Sequence, residues 1–127
     1  MKYFKGVVAI SATVITYLLG NWDTSVIVLL AFLLFDYLSG CMCAAKEKKL
    51  SSNIGFKGLC KKLSIIFILI SAVLLDRLMN NNAWVFRTLV CYFYIANEGL
   101  SILENSARLG VPIPEKLREI LLQLKAD

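Results

Sequence analysis

Hydrophobic residues fall along this chain in four long runs, over residues 6–20, 24–45, 63–79 and 83–105, with polar breaks between them. Each run approaches the ~20 apolar residues that carry a helix across ~30 Å of hydrocarbon, so four membrane-spanning helices are expected. The first run follows Lys2 and Lys5 in the manner of a signal peptide. Between Tyr17 and Asp23, however, there is no small-x-small cleavage pair, and another apolar run follows at once. The segment is therefore read as a retained helix. Asn21, Trp22 and Asp23 make one tight break, and Asn80, Asn81 and Asn82 make another. Between the second and third runs lies the basic stretch 46–62, KEKKLSSNIGFKGLCKK, which is expected to be a membrane-surface loop. Its Ser51-Ser-Asn and its glycines Gly55 and Gly58 are turn chemistry. Leu50, Ile54, Phe56 and Leu59 can dip among headgroups while Lys46, Lys48, Lys49, Lys57, Lys61 and Lys62 meet anionic lipid. Past the fourth run, Gly110 stops the helix and Pro112 and Pro114 break the path. Residues 114–126 then form a short amphipathic helix with Leu117, Ile120, Leu121 and Leu124 on one face. It is too short and too charged to span, so it is expected on the membrane surface or against a partner helix. The expected fold is all-α, a single domain over 1–127: an integral membrane bundle of four transmembrane helices with a C-terminal amphipathic cytoplasmic helix.

Polar positions inside the runs carry the functional signal, because an ionisable group in hydrocarbon costs several kcal/mol and needs a reason to be there. In the first run Ala9, Thr13, Thr16 and Gly20 recur at helical spacing, a small-residue face suited to another helix. In the second, Ser25, Asp36, Ser39 and Cys43 share a face, with Asp36 roughly 14 Å from the basic end at 1.5 Å per residue. The sharpest periodicity is in the fourth, where Arg87, Cys91, Tyr94, Glu98, Ser101 and Asn105 follow one another at +4, +3, +4, +3 and +4. That spacing draws one polar stripe down a helix otherwise faced by Leu89, Val90, Phe93, Ile95 and Leu100. Asp76 and Arg87 fall near the same end of adjacent antiparallel helices, and an ion pair across that hairpin, shared with Arg77, is expected. Asp36 and Glu98 lie deeper with no obvious cation at their depth. Either they line a polar seam between protomers or a pore, together with Arg87, Tyr94, Ser101 and Asn105, or they hydrogen-bond within one chain.

Composition agrees with a membrane protein. Hydrophobic residues make up 58% of the chain, above the ~45–50% of soluble domains, and charged residues only 18%, below ~25%. The net charge of +5 does not indicate nucleic acid, because all but Arg77 and Arg87 of the 14 Lys and Arg sit in the N-terminus, the 46–62 stretch and the C-terminal tail. By the positive-inside rule that places both termini and the basic loop on the cytoplasmic side of a membrane that the chain crosses several times. GFKGLCKK lacks the order of a phosphate-binding loop, and no strand precedes it. Cys41, Cys43, Cys60 and Cys91 have no zinc spacing and no histidine partner, the chain containing no histidine at all. No metal or cofactor is expected. Nor is an enzyme, since no nucleophile stands beside a base. A small ion-coupled transporter is the alternative. Four spans with a membrane carboxylate outline the small multidrug-resistance exporters, although their essential glutamate lies in a first helix that here has none.

Several segments also carry a family resemblance. They are Asp36-Tyr-Leu-Ser-Gly40, Leu50-Ser-Ser-Asn-Ile-Gly55 with Gly58 and Lys61-Lys62, Asp76 closing the third run, and the block from Tyr94-Ile-Ala-Asn-Glu through Ser-Ile-Leu-Glu-Asn105 to Gly110-Val-Pro-Ile-Pro114. Over about residues 30–125 the chain resembles the toxin-secretion and phage-lysis holins of Gram-positive bacteria and their phages. The last block, with Glu98, Glu104, Asn105, Gly110, Pro112 and Pro114, is the most specific. The resemblance implies a protein that gathers in the cytoplasmic membrane as a homo-oligomer and opens a lesion for an endolysin or a toxin. An antiholin is a candidate regulator. After Met1 the next methionine is Met42, so no short form from a nearby second methionine is expected.

Overall fold

A computed structural model describes residues 1–126 and is helical throughout its regular structure, with no strand among the described residues. Its helices are α1 (Lys2–Leu19), α2 (Thr24–Lys46), α3 (Ser52–Leu78), α4 (Val85–Arg108) and α5 (Glu115–Ala126). The breaks follow local chemistry. Gly20 ends α1 with φ 86°, a left-handed conformation that costs glycine little. Asp23 caps α2 by accepting from the Val26 amide at 3.2 Å, and Ser51 caps α3 by accepting from the Ile54 amide at 3.2 Å. Gly110, at φ 92°, turns the chain after α4.

α1, α2 and α3 are long and apolar enough to cross a membrane. α4, of 24 residues, is long enough, but Arg87, Glu98, Glu104 and Arg108 lower its hydropathy and it is not among the three. The expected 46–62 loop needs correction. Only residues 47–51 connect α2 to α3, and α3 starts eleven residues before the predicted third span. The stretch contains no proline, Ser51 supplies a cap, and its two glycines serve packing rather than turning. A Cβ on Gly55 would lie 3.3 Å from the Tyr37 hydroxyl, and one on Gly58 would lie 3.5 Å from the Tyr37 ring. Tyr37 also donates to the Gly55 carbonyl at 3.3 Å.

α4 is the central element, packed mainly on α2 and also on α3 and α5. Leu19, Val26, Leu29, Leu33, Ile65, Leu69, Cys91 and Ile95 form the apolar core. α1 is held differently. Leu19 is its one buried residue, and Ala9 and Thr13 of the small-residue face remain exposed. The Thr13 and Thr16 hydroxyls donate back to the carbonyls of Ala9 and Ala12, so the helix satisfies its own polar groups.

α5 folds back along α4, so the expected partner for this helix is the chain itself. Leu121 is buried there, while Leu117 and Ile120 of the predicted apolar face stay exposed. The close approach depends on Gly99, where a Cβ would meet both Leu121 methyls at 3.0 Å and Phe32 of α2 at 3.1 Å. Gly99→Val is therefore expected to overpack this contact by about 1–3 kcal/mol and to lift α5 away. Limited proteolysis at the 109–114 turn reads this out. Cleavage at the wild-type rate would show that Gly99 is not what seats α5.

Candidate functional site: two polar clusters in an apolar bundle

The two ends of the bundle are conveniently called the asparagine end, with Asn21 and Asn80–Asn82, and the lysine end, with Lys46–Lys49. At the asparagine end two buried side chains join four helices. Asp76, at the last turn of α3 and 1% exposed, accepts from the backbone amides of Phe86 at 3.0 Å and Arg87 at 2.8 Å, and from Asn81 Nδ2 at 3.1 Å. It thus caps the first turn of α4, where free N–H groups and the helix dipole favour an anion. Arg87, 2% exposed, sends its guanidinium the other way. Nε donates to the Leu19 carbonyl at 2.7 Å and Nη2 to the Asn21 carbonyl at 3.0 Å. Nη1 and Nη2 grip both oxygens of Asp23 at 2.9 and 3.0 Å. The expected Asp76–Arg87 side-chain ion pair is therefore corrected. The two residues meet through the Arg87 backbone, and the guanidinium pairs with Asp23 because the α1–α2 turn presents a carboxylate and two carbonyls in the fork geometry arginine needs. The Arg87 hydrogen bond holds the Asp23 carboxyl below the usual aspartate range. This link is present at neutral pH and is lost only as pH falls through that lowered value.

Deeper in the bundle the second cluster gathers Asp36 from α2, Lys62 from α3, and Glu98 and Asn105 from α4. Lys62 Nζ is bonded to Asp36 Oδ2, and to Glu98 Oε2 at 2.6 Å. Asn105 Nδ2 donates to Asp36 Oδ1 at 3.0 Å and to Ser39 Oγ at 2.9 Å, and the Asn105 carbonyl accepts from the Cys43 thiol at 3.2 Å. All four cluster residues are largely withdrawn from the surface, Glu98 to 4% exposure. Two carboxylates share one ammonium, so the cluster carries one formal negative charge. Beside it a cavity of about 260 Å³ runs between α2 and α3, lined in part by Tyr37, Cys41, Lys61 and Ser101.

The stripe on α4 is thus real but points inward. Arg87, Cys91, Glu98 and Asn105 are buried within one chain, while Tyr94 and Ser101 are half-buried at its margin. The seam expected between protomers is closed inside the monomer, because Lys62 supplies the missing cation. Lys62 lies in the 46–62 stretch expected as a loop. Once that stretch is helical, Asp36 stands ten residues before the end of α2 and Lys62 ten after the start of α3, at equal height in an antiparallel hairpin. Lys46, Lys48, Lys49, Lys57 and Lys61 remain exposed, as expected of a basic membrane surface. Glu104, Pro112 and Pro114 are exposed too, and Gly110 serves the turn. Arg108 pairs with Glu47 at 2.7 Å at the lysine end, an exposed pair that adds little stability. Among the described residues no His, Cys, Asp and Glu group is arranged to hold a metal ion.

Residues 13–126 match the model of the bacteriophage holin family. The chain is 52% identical over 124 residues to an uncharacterised 14.9 kDa protein of the nagH 3′ region of Clostridium perfringens, covering 98% of this chain and 94% of the relative. It is 45% identical over 119 residues to an uncharacterised protein of Clostridium acetobutylicum, covering 94% and 95%. Its similarity to a probable holin of Bacillus phage phi105 is 37% over 95 residues, covering 74% of this chain and 69% of the relative. No solved structure is significantly similar. With apolar helices, paired buried charges and a family match across nearly its whole length, the chain belongs to the bacteriophage holin family.

Proposed function

We propose that this protein accumulates in the bacterial cytoplasmic membrane, self-associates and opens lesions through which an endolysin or a secreted toxin leaves the cytoplasm. The observation that carries the reading is the family match over residues 13–126, joined to a relative named as a probable holin. Further support comes from how the chain treats its charges. α4 acts as the fourth span because Arg87 and Glu98 turn inward and Glu104 and Arg108 lie near its lysine end, while Val85, Leu89, Tyr92 and Phe93 present an exposed apolar face to lipid. Both termini lie on the cytoplasmic side, following the basic residues at the lysine end. α1, which the rest of the chain leaves largely uncovered, offers a surface to neighbouring copies.

In the single chain the Asp36–Lys62–Glu98 cluster is closed. In a lesion, the α4 stripe turns toward water, where its charges no longer need one another. The residue that separates this role from folding is Glu98, because its loss leaves Lys62 still neutralised by Asp36. Glu98→Leu is expected to insert and accumulate normally but to delay or abolish lysis. The test is induced expression with time-resolved optical density and dye entry, with and without a cytoplasmic endolysin. Wild type should admit dye at a sharp onset and lyse cells only when the endolysin is present. Absence of dye entry at full expression would remove the proposed function, and unchanged timing in Glu98→Leu would remove the role of the cluster.

A further inference from the structure

The asparagine end holds two arginines that the chain treats in opposite ways. Arg87 spends its donors on two carbonyls and a carboxylate. Arg77 makes one hydrogen bond, from Nη2 to the Tyr17 carbonyl at 2.8 Å, and has no carboxylate partner among the described residues. Its guanidinium lies 4.0 Å from the Tyr17 ring centroid and 5.1 Å from that of Trp84, and its Nε is buried without an acceptor. Stacking between aromatic faces positions the cation but leaves most of its five N–H groups unused. Beside it opens a cavity of about 440 Å³, lined by Tyr17, Asp76, Arg77, Asn80, Asn81, Asn82 and Trp84. Asp76 does not neutralise Arg77 there, since its oxygens are taken by the α4 amides and Asn81.

We propose that this cup binds the phosphodiester of a phospholipid headgroup, with Arg77 as the anion-binding residue and the asparagine side chains as further donors. A fixed, planar guanidinium matches two phosphate oxygens at once. The flanking Tyr17 and Trp84 belong to the aromatic belt that marks headgroup depth, so a lipid phosphate reaches the cup without leaving its leaflet. The site is independent of which side of the membrane this end faces, and independent of lesion formation.

The test is lipid retention by the full-length protein. Protein purified from bilayers doped with phosphatidylglycerol is examined by native mass spectrometry, with Cys91 thiol protection as a check on folding. Wild type is expected to retain bound phosphatidylglycerol. Arg77→Gln should lower occupancy about tenfold, the loss of a charge-assisted hydrogen-bond pair. Arg77→Lys should be intermediate, and Lys5→Gln, at the other end of α1, should not change it. If Arg77→Gln exposes Cys91, Asn82→Ala replaces it as the deciding variant and should also reduce retention. Equal retention by the folded variants, or equal retention of a phosphate-free glycolipid, would overturn the assignment. Displacement of the lipid by inorganic phosphate at micromolar concentration would overturn the lipid source in favour of a free anion.

Discussion

Lys62→Met is expected to collapse the lysine half of the bundle. Lys62 is the shared counter-ion of Asp36 and Glu98, both side chains being 10% exposed or less. Methionine keeps the length of the stem but removes the charge, leaving two carboxylates facing each other in an apolar surround. Removing one partner from a buried pair costs about 3–5 kcal/mol, because the charge left behind is uncompensated. That loss is comparable to much of the net stability of a small domain. The thiols supply the measurement. Cys43, 2% exposed and bonded to Asn105, should become reactive to maleimide, while exposed Cys60 labels in both proteins. Adding Asp36→Asn and Glu98→Gln to Lys62→Met should restore most of the protection, since neutral amides can hydrogen-bond without a cation. If Cys43 stays protected in Lys62→Met alone, the cluster does not hold these helices together.

Arg87→Leu is expected to open the opposite end. The substitution strands the Asp23 carboxylate and the carbonyls of Leu19 and Asn21, and it unties α4 from the α1–α2 turn. Asp76 would still cap α4, because it binds the backbone rather than the side chain. The cost is smaller, about 1–3 kcal/mol for the carbonyls left without a donor, because the Asp23 side chain is 40% exposed and its charge stays solvated; its location differs as well. Cys91, one helical turn away and fully buried, should gain reactivity, and the turn at Gly20–Asp23 should become sensitive to protease. Arg87→Lys should recover little, because a single ammonium cannot reproduce the bidentate grip on Asp23 together with two carbonyls. Full recovery by lysine would mean that charge alone, and not the fork geometry, ties the turn.

The α4 stripe was legible because six polar residues at helical spacing are a one-dimensional signal. Its direction was not, since whether a polar face meets its own chain or a neighbour depends on which helix stands opposite. Asp76 and Arg87 share one end of the bundle, yet their side chains do not pair with each other. Sequence spacing gives proximity, not the competition between a helix N-terminus and a guanidinium for one carboxylate. Gly55 and Gly58 read as turn residues, and only the ring of Tyr37 against them explains why they lie inside a helix.

Hydropathy, charge asymmetry and the Asn-Glu to Pro-Ile-Pro block were sufficient to identify an all-helical membrane chain of the holin family, because lipid forces every backbone polar group into local helical bonds. What needed the tertiary arrangement was the fate of the charges: Lys62 drawn from the surface to serve two carboxylates, Arg87 turned toward Asp23, and α5 seated on Gly99. Those choices rest on three-dimensional partners at separations of 22 to 64 residues. No local preference along the chain encodes contacts of that range.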